Sequence, residues 1–170
     1  DEYDINMLVT PGIIHKHHNI ISNHAIDKVE ARADAFYVMD SSDIDDNVAT
    51  AVNNVANLDT NYVATYYPWV KMDDISRGSG TVLVPPSVVI PGVIAFTDSV
   101  AHEWFAPAGL NRGGLTNVRM TQKKLTHTDR DTLYEGRVNP IASFPGQGVV
   151  VFGQKTLQAR PSALDRINVR

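Results

Sequence analysis

The order of short apolar runs and helical stripes in the first seventy residues limits this chain to few folds. Ile5 to Val9 is an apolar run closed by Thr10-Pro11-Gly12, the pattern of a short buried strand. From Asn19 to Ala33, Ile21, Ala25, Val29 and Ala33 recur every fourth residue, one stripe of a helix. Ala35 to Met39 is a second strand, rich in Phe, Tyr and Val. Ser42 with Asp45 three residues on forms a capping box for a second helix, along which Ile44, Val48, Ala51, Val52 and Val55 keep helical spacing. Asn61 to Tyr67 supplies a third strand. This β-α-β-α-β order predicts an α/β domain whose mixed, largely parallel sheet is flanked by helices, with right-handed crossovers setting them on its face or faces.

Beyond Trp69 the pattern loosens. Asp73 to Gly80 reads as a turn between short strands around Val70 and Val82. Pro85-Pro86-Ser87 opens a helix reaching about Ala101, with Ser87 as its N-cap and Pro91 in the first turn, where a missing N–H costs little. Ala106 to Asn117 is rich in Gly, Pro and Asn and reads as an ordered loop, and the polar stretch from Thr121 to Arg137 predicts short surface helices. Val149 to Phe152 is the last strong strand, and Ser162 caps a final helix. The chain reads as a single domain, residues 1–170, cut from a longer polypeptide, since it begins without Met and stops inside that expected helix.

Composition removes several functions. The 15 basic and 19 acidic residues leave a net charge of -4, which gives no electrostatic footprint for nucleic acid. Cysteine is absent, which excludes disulfides, thiol catalysis and Cys-ligated zinc. No segment approaches the roughly 20 apolar residues of a membrane-spanning helix.

His15, His17, His18 and His24 cluster in sequence but lack metal-ligand spacing, and read as a solvated loop. His102-Glu103 is half of a zinc-protease motif whose second His position is Ala106. A hydrolase triad in subtilisin order could draw on Asp4, His24 and Ser99, but nothing local marks Ser99 as activated. Gly78-Ser79-Gly80 has the wrong spacing for a nucleophile elbow. Gly148 to Thr156 misses the phosphate-loop pattern by one residue and places β-branched Val149-Val150-Val151 where flexible N–H groups are needed. Gly146-Gln147-Gly148 precedes a strand and fails as a dinucleotide fingerprint. Asp43, Asp45 and Asp46 fit a helix N-terminus, and Asp73 and Asp74 a turn. The carboxyl ends of the parallel strands, with Thr10, Asp40, Ser41, Tyr67, Pro68 and Trp69, are the generic place for a ligand. No catalytic, cofactor-binding or metal-binding residue is assigned, and no cofactor is expected.

Four segments resemble a known family. Val63 to Trp69 followed by Pro85-Pro86-Ser87 and Pro91-Gly92-Val93 looks like the tail sheath proteins of contractile-tailed, T-even-type phages. Trp104-Phe105-Ala106-Pro107-Ala108-Gly109 with Arg112-Gly113-Gly114-Leu115 is similar to that family's aromatic–Ala-Pro-Ala segment and glycine pair. Asn139-Pro140-Ile141 through Gly148, then Val149 to Leu157, resembles its late strand, and Ala163 to Arg170 the approach to its C-terminal region. The resemblance implies a core domain of the kind described as subtilisin-like in fold, without the triad. It also implies a structural virion protein. Its subunits would stack as hexameric rings around a tail tube and contract on a baseplate signal, driving the tube through the host envelope. Such a protein resides in the virion tail, is assembled in the host cytoplasm, and joins its neighbours by β-strand-adding arms. The 170-residue piece alone is then expected to be a monomer. The basic stretch holding Arg112, Arg119, Lys123, Lys124, Arg130 and Arg137 is the expected inter-subunit face, a solvated surface being the bland alternative. Competing readings are a subtilisin-type α/β hydrolase and the sheath of a non-phage contractile injection system.

Overall fold

A computed structural model describes residues 3–74, 78 and 80–169. In chain order the elements are β1 (Met7–Ile14), α1 (Asn19–Arg32), β2 (Phe36–Asp40), α2 (Val48–Asn53), β3 (Val63–Tyr67), β4 (Val70–Asp73) and β5 (Thr81–Val84). There follow α3 (Ile90–Val100), β6 (Val118–Thr121), α4 (His127–Glu135), β7 (Asn139–Phe144) and β8 (Gly148–Val151). Five strands form one sheet in the order β1-β2-β3-β7-β8, parallel from β1 to β7, with β8 antiparallel at the end. A smaller antiparallel sheet has the order β5-β4-β6. The expected mixed, largely parallel sheet is therefore present, and its first three strands follow the β-α-β-α-β order.

The strand period of two sorts side chains between two cores. Tyr37, Met39, Val63 and Tyr67 pack with Ile26 and Val29 of α1, Ala51 of α2 and Leu133 of α4. Val38, Ala64 and Tyr66 point the other way, onto Ile90 and Val93 of α3 and Val70 and Val118 of the small sheet. Both faces of β3 are covered, which is why all five of its residues are buried and its sequence lacks polar alternation.

Several boundaries differ from the sequence expectation. Thr10-Pro11-Gly12 does not end β1: the chain bulges there, with Gly12 at φ 85, and rejoins the ladder where Ile14 meets Asp40. The inward stripe of α1 is Ser22, Ile26 and Val29, while Ile21 is 50% exposed. Ser22 tolerates burial because its hydroxyl donates back to the His18 carbonyl. Helix α2 starts at Val48 and is capped by Asn47, whose side chain accepts from Thr50 N–H, so Ser42 and Asp45 form no capping box. The Asp46 carboxylate accepts the Asp43 N–H and folds residues 43–46 into a turn before the helix begins.

Ser87 is likewise no N-cap. It lies in a 3-10 turn over Pro86–Val88, and α3 begins at Ile90 with Pro91 in its first turn. The polar stretch yields one helix, α4, with a complete capping box between Thr126 and Asp129. Ser162 caps only a 3-10 turn, Ala163–Asp165. The expected final helix is replaced because the chain pairs back on residues 154–156: Thr156 N–H reaches the Asp165 carbonyl and Ile167 N–H the Gln154 carbonyl.

Candidate functional site

At the carboxyl end of the parallel strands, the segment 41–46 leaves β2 and lies across the ends of its neighbours. Tyr67, the last residue of β3, donates its hydroxyl to the Asp46 carbonyl at 2.7 Å. Trp69 donates its indole N–H to the Ser42 carbonyl at 2.9 Å. Past β6, Gln122 Nε2 reaches the Ile44 carbonyl, and Lys123 Nζ donates to the carbonyls of Asp46 at 2.6 Å and Asp45 at 3.2 Å. Asn54 donates to the Ser41 carbonyl and to the Asp46 carboxylate. Donors from three separate parts of the chain thus hold one loop, which suits a rigid junction better than an open receptor.

The ionisable groups there are paired. Lys16 contacts Asp46 at 2.6 Å, and this hydrogen bond holds the Lys16 ammonium above its ordinary value. Burial pushes the Asp46 carboxyl up, but Lys16, the Asp43 N–H and Asn54 together bring it below the usual carboxylate range. His17 Nε2 lies 2.8 Å from Asp43 and, with the Ile44 N–H, keeps that carboxyl low. Of the three acids expected to sit on a helix N-terminus, Asp43 and Asp46 are held instead by side-chain and turn partners, because the helix starts after them. Deeper in, Asp40 accepts the Ser87 hydroxyl at 2.6 Å and the Ser87 N–H at 3.1 Å. Burial nevertheless pushes its carboxyl up to about 6, against the pull of Ser87 and the Gly12 N–H. The Thr10 and Tyr37 hydroxyls pair at 2.7 Å.

The other sequence candidates do not converge. His24 lies on α1 and Ser99 on α3, against opposite faces of the sheet, and the Ser99 hydroxyl donates to the Phe96 carbonyl within its own helix. Ser79 lies outside the described residues. His15 is buried, and that burial lowers its pKa. His102 stacks on Trp104 at 4.3 Å. Val149 to Val151 are ladder residues opposite Ser143, Ala142 and Ile141, and Lys155 lies over the Tyr134 ring. Among the described residues, no three His, Asp or Glu side chains are grouped to hold a metal ion.

The six basic residues separate into kinds. The Arg137 guanidinium is taken up by the carbonyls of Ala56, Leu58 and Leu157, and Lys123 by the clamp. Arg119 pairs with Asp73, which is the last residue of β4, opposite Thr81, rather than a turn residue. Arg112 lies over the Phe105 ring at 4.6 Å, and Arg130 over Phe144 at 5.0 Å and Phe152 at 5.7 Å. Lys124 is exposed. Sequence reasoning missed the Lys16–Asp46–Lys123 junction and also Asn139, fully buried, which bonds Thr65 and both backbone groups of Lys155. A lone Asn-Pro at the start of an apolar strand was the available signal for the second.

These features define an α/β structural block, with polar groups turned inward on its own loops rather than arranged around a ligand. The chain belongs to the phage tail sheath family: the profile of the phage tail sheath protein central domain matches residues 1–157. It is 38% identical over 131 residues to the tail sheath protein of Vibrio phage KVP40, covering 75% of this chain and 19% of that protein. Against the tail sheath protein of Enterobacteria phage T4 it is 36% identical over 132 residues, covering 73% and 19%. Among solved structures, the sheath complex of an extracellular contractile injection system (PVC) in its contracted state superposes with a TM-score of 0.76. Identity there is 26%, over 99% of this chain and 44% of that one. The chain therefore spans about a fifth of the curated relatives it matches.

Proposed function

We propose that the chain is the central block of a contractile-phage tail sheath subunit, with further polypeptide on both sides. The subunit polymerises as hexameric rings around the tail tube and contracts on a baseplate signal to drive the tube through the host envelope. Its place is the virion tail, reached by assembly in the host cytoplasm, and its role is mechanical rather than catalytic. The observation that carries this reading is the sheath-domain match over residues 1–157, joined by 38% identity to a phage tail sheath protein. The inward-turned junction at residues 41–46 supports it physically, since a block that must switch neighbours has to keep its own shape.

Within the basic stretch, Lys124 and Arg130 have neither a carboxylate nor a carbonyl partner among the described residues, whereas Arg112 reaches the Ala106 carbonyl and Arg119 pairs with Asp73; Lys124 and Arg130 are therefore the strongest contact candidates. Arg112 and Arg119 are secondary, and Lys123 and Arg137 support the fold beneath them. Electron microscopy of the whole subunit tests the proposal: long tubular polysheaths with six-fold rings are expected, and a protein that stays dispersed contradicts it. The 170-residue chain alone is expected to sediment as a monomer; a stable hexamer would overturn that point. The contracted injection-system sheath, which matches over 99% of the chain, favours a non-phage contractile device as the second reading.

A further inference from the structure

Opposite edges of the five-stranded sheet carry two features that complete each other. Beside β8, a cavity of about 400 Å³ is lined by Ala106, Ala108, Tyr134, Pro140, Phe152 and Gln154 among others. Most of this lining is apolar, yet the Oε1 atom of Gln154 is buried without a hydrogen-bond partner. A buried acceptor left unpaired is costly, so it marks a place where a donor is missing. Two half-buried cations flank the cavity on ring faces: Arg130 over Phe144 at 5.0 Å and Phe152 at 5.7 Å, and Lys155 over Tyr134 at 4.3 Å. Neither has a carboxylate partner among the described residues, whereas Asp131 in the same lining is taken by His127 at 2.9 Å.

At the other edge, Tyr3 lies just ahead of β1 and is 77% exposed. Its backbone is nonetheless held, since Arg32 Nη2 donates to the Tyr3 carbonyl at 3.2 Å while the same guanidinium is fixed by Asp34. Asp4 follows it in solvent, and Glu2 precedes it in sequence. A phenol presented in this way brings what the cavity lacks, a flat apolar body and a hydroxyl that donates. The adjoining carboxylates suit the two cations. Four strand spacings separate β1 from β8, about 19 Å, which is more than a tyrosine side chain spans. The two features can therefore meet only between copies.

We propose that Tyr3 of one copy enters the cavity beside Arg130 of the next, its hydroxyl donating to Gln154 Oε1 and Asp4 facing Arg130 and Lys155. The inference rests on the sheath-subunit reading given above and gives the Arg130 contact a partner. The contact joins two different patches, so each copy keeps a free cavity or a free Tyr3 for a further neighbour. Head-to-tail contacts of this kind build rings or helices rather than closed pairs. One side chain in one cavity is too small an interface to pair free chains tightly, and it gains strength once other contacts of a polymer align the copies.

Photo-cross-linking tests it in the whole subunit, with benzoylphenylalanine in place of Tyr3 and sheath assembled from equal parts of isotope-labelled and unlabelled copies. Cross-links joining a labelled to an unlabelled copy are expected at residues 130–134 or 152–154. Cross-links confined to other surfaces, or to a single chain, overturn the proposal. A subunit that never polymerises counts against the sheath function, and the contact is then read in the 170-residue chain itself. At roughly millimolar concentration, the amide signals of residues 3–4 and 152–154 should shift together. Tyr3→Phe should weaken that association about fivefold, the worth of one neutral hydrogen bond, and Tyr3→Ala should abolish it while leaving the melting temperature unchanged. Signals that stay fixed as concentration rises overturn the proposal, and identical behaviour of wild type and Tyr3→Phe contradicts the bond to Gln154.

Discussion

Asp40 and Asn139 are polar residues in apolar surroundings, and each has a measurable consequence. Folded, Asp40 keeps its proton up to about pH 6, whereas unfolded it loses it near 3.8, so between these values the folded state binds more protons. The stability attributable to this carboxyl therefore falls as pH rises through that window, by about 3 kcal/mol in total. Buried His15, whose pKa is lowered, acts in the opposite sense below 6.5, as do the depressed carboxyls of Asp43 and Asp46 near their lower range. Urea unfolding of wild type and Asp40→Asn from pH 4 to 7 isolates the effect: the difference between the two curves should change with pH, and a constant difference would refute it. Asn139→Leu keeps the size but strands the Lys155 N–H that the amide accepts, and is expected to cost about 3 kcal/mol, the penalty of a buried unpaired group plus lost bonds. A loss under 1 kcal/mol by the same assay, well below the cost of leaving a buried donor unpaired, would show that water or a backbone shift replaces it.

At the scale of elements, the loop 41–46 is where the junction can be weakened without touching the core. Lys123→Met removes a charged donor from the Asp45 and Asp46 carbonyls and should cost about 1–2 kcal/mol, less than a fully buried charged bond because Lys123 is only half-buried. Hydrogen exchange should speed up at residues 43–47 while the β3 amides keep their protection; uniform loss of protection would mean the loop is part of the core's cooperative unit. The same region shows why some elements were legible in sequence and others were not. The strands β2 and β3 declare themselves through local apolar runs, which the buried two-faced sheet then satisfies, whereas α1 was legible in extent but not in its buried stripe, which shares only Val29 with the expected one. The start of α2 was misplaced because Asp46 competes for the Asp43 N–H, a contest that Ser42 and Asp45 as a motif do not reveal. Ser87 was misread because its partner, Asp40, lies 47 positions away. The clamp was invisible for the same reason: Lys123 bonds carbonyls 77 and 78 positions away, and every residue offers a carbonyl whatever its side chain. The terminal helix failed because residues 154–156 recruit its backbone, a tertiary effect that outweighs Ser162 as a cap.

For the whole molecule, two packed faces of one sheet and an internally bonded junction make a body with few ways to deform. On the proposed sheath function, contraction would be expressed at the surfaces between bodies, where small charged and aromatic contacts can be exchanged. Lys124→Glu with Arg130→Glu should leave the melting temperature of the 170-residue chain close to wild type while impairing polysheath formation by the whole subunit. Normal assembly of that variant would remove the basic stretch from the interface. The most direct test of the central claim is electron microscopy of the assembled sheath in its extended and contracted states. Residues 3–74, 78 and 80–169 are expected to superpose between the two within about 1 Å of backbone deviation while whole subunits rotate and shift. A rearrangement inside the block, with Lys123 leaving the Asp46 carbonyl or β1 parting from β2, would contradict it.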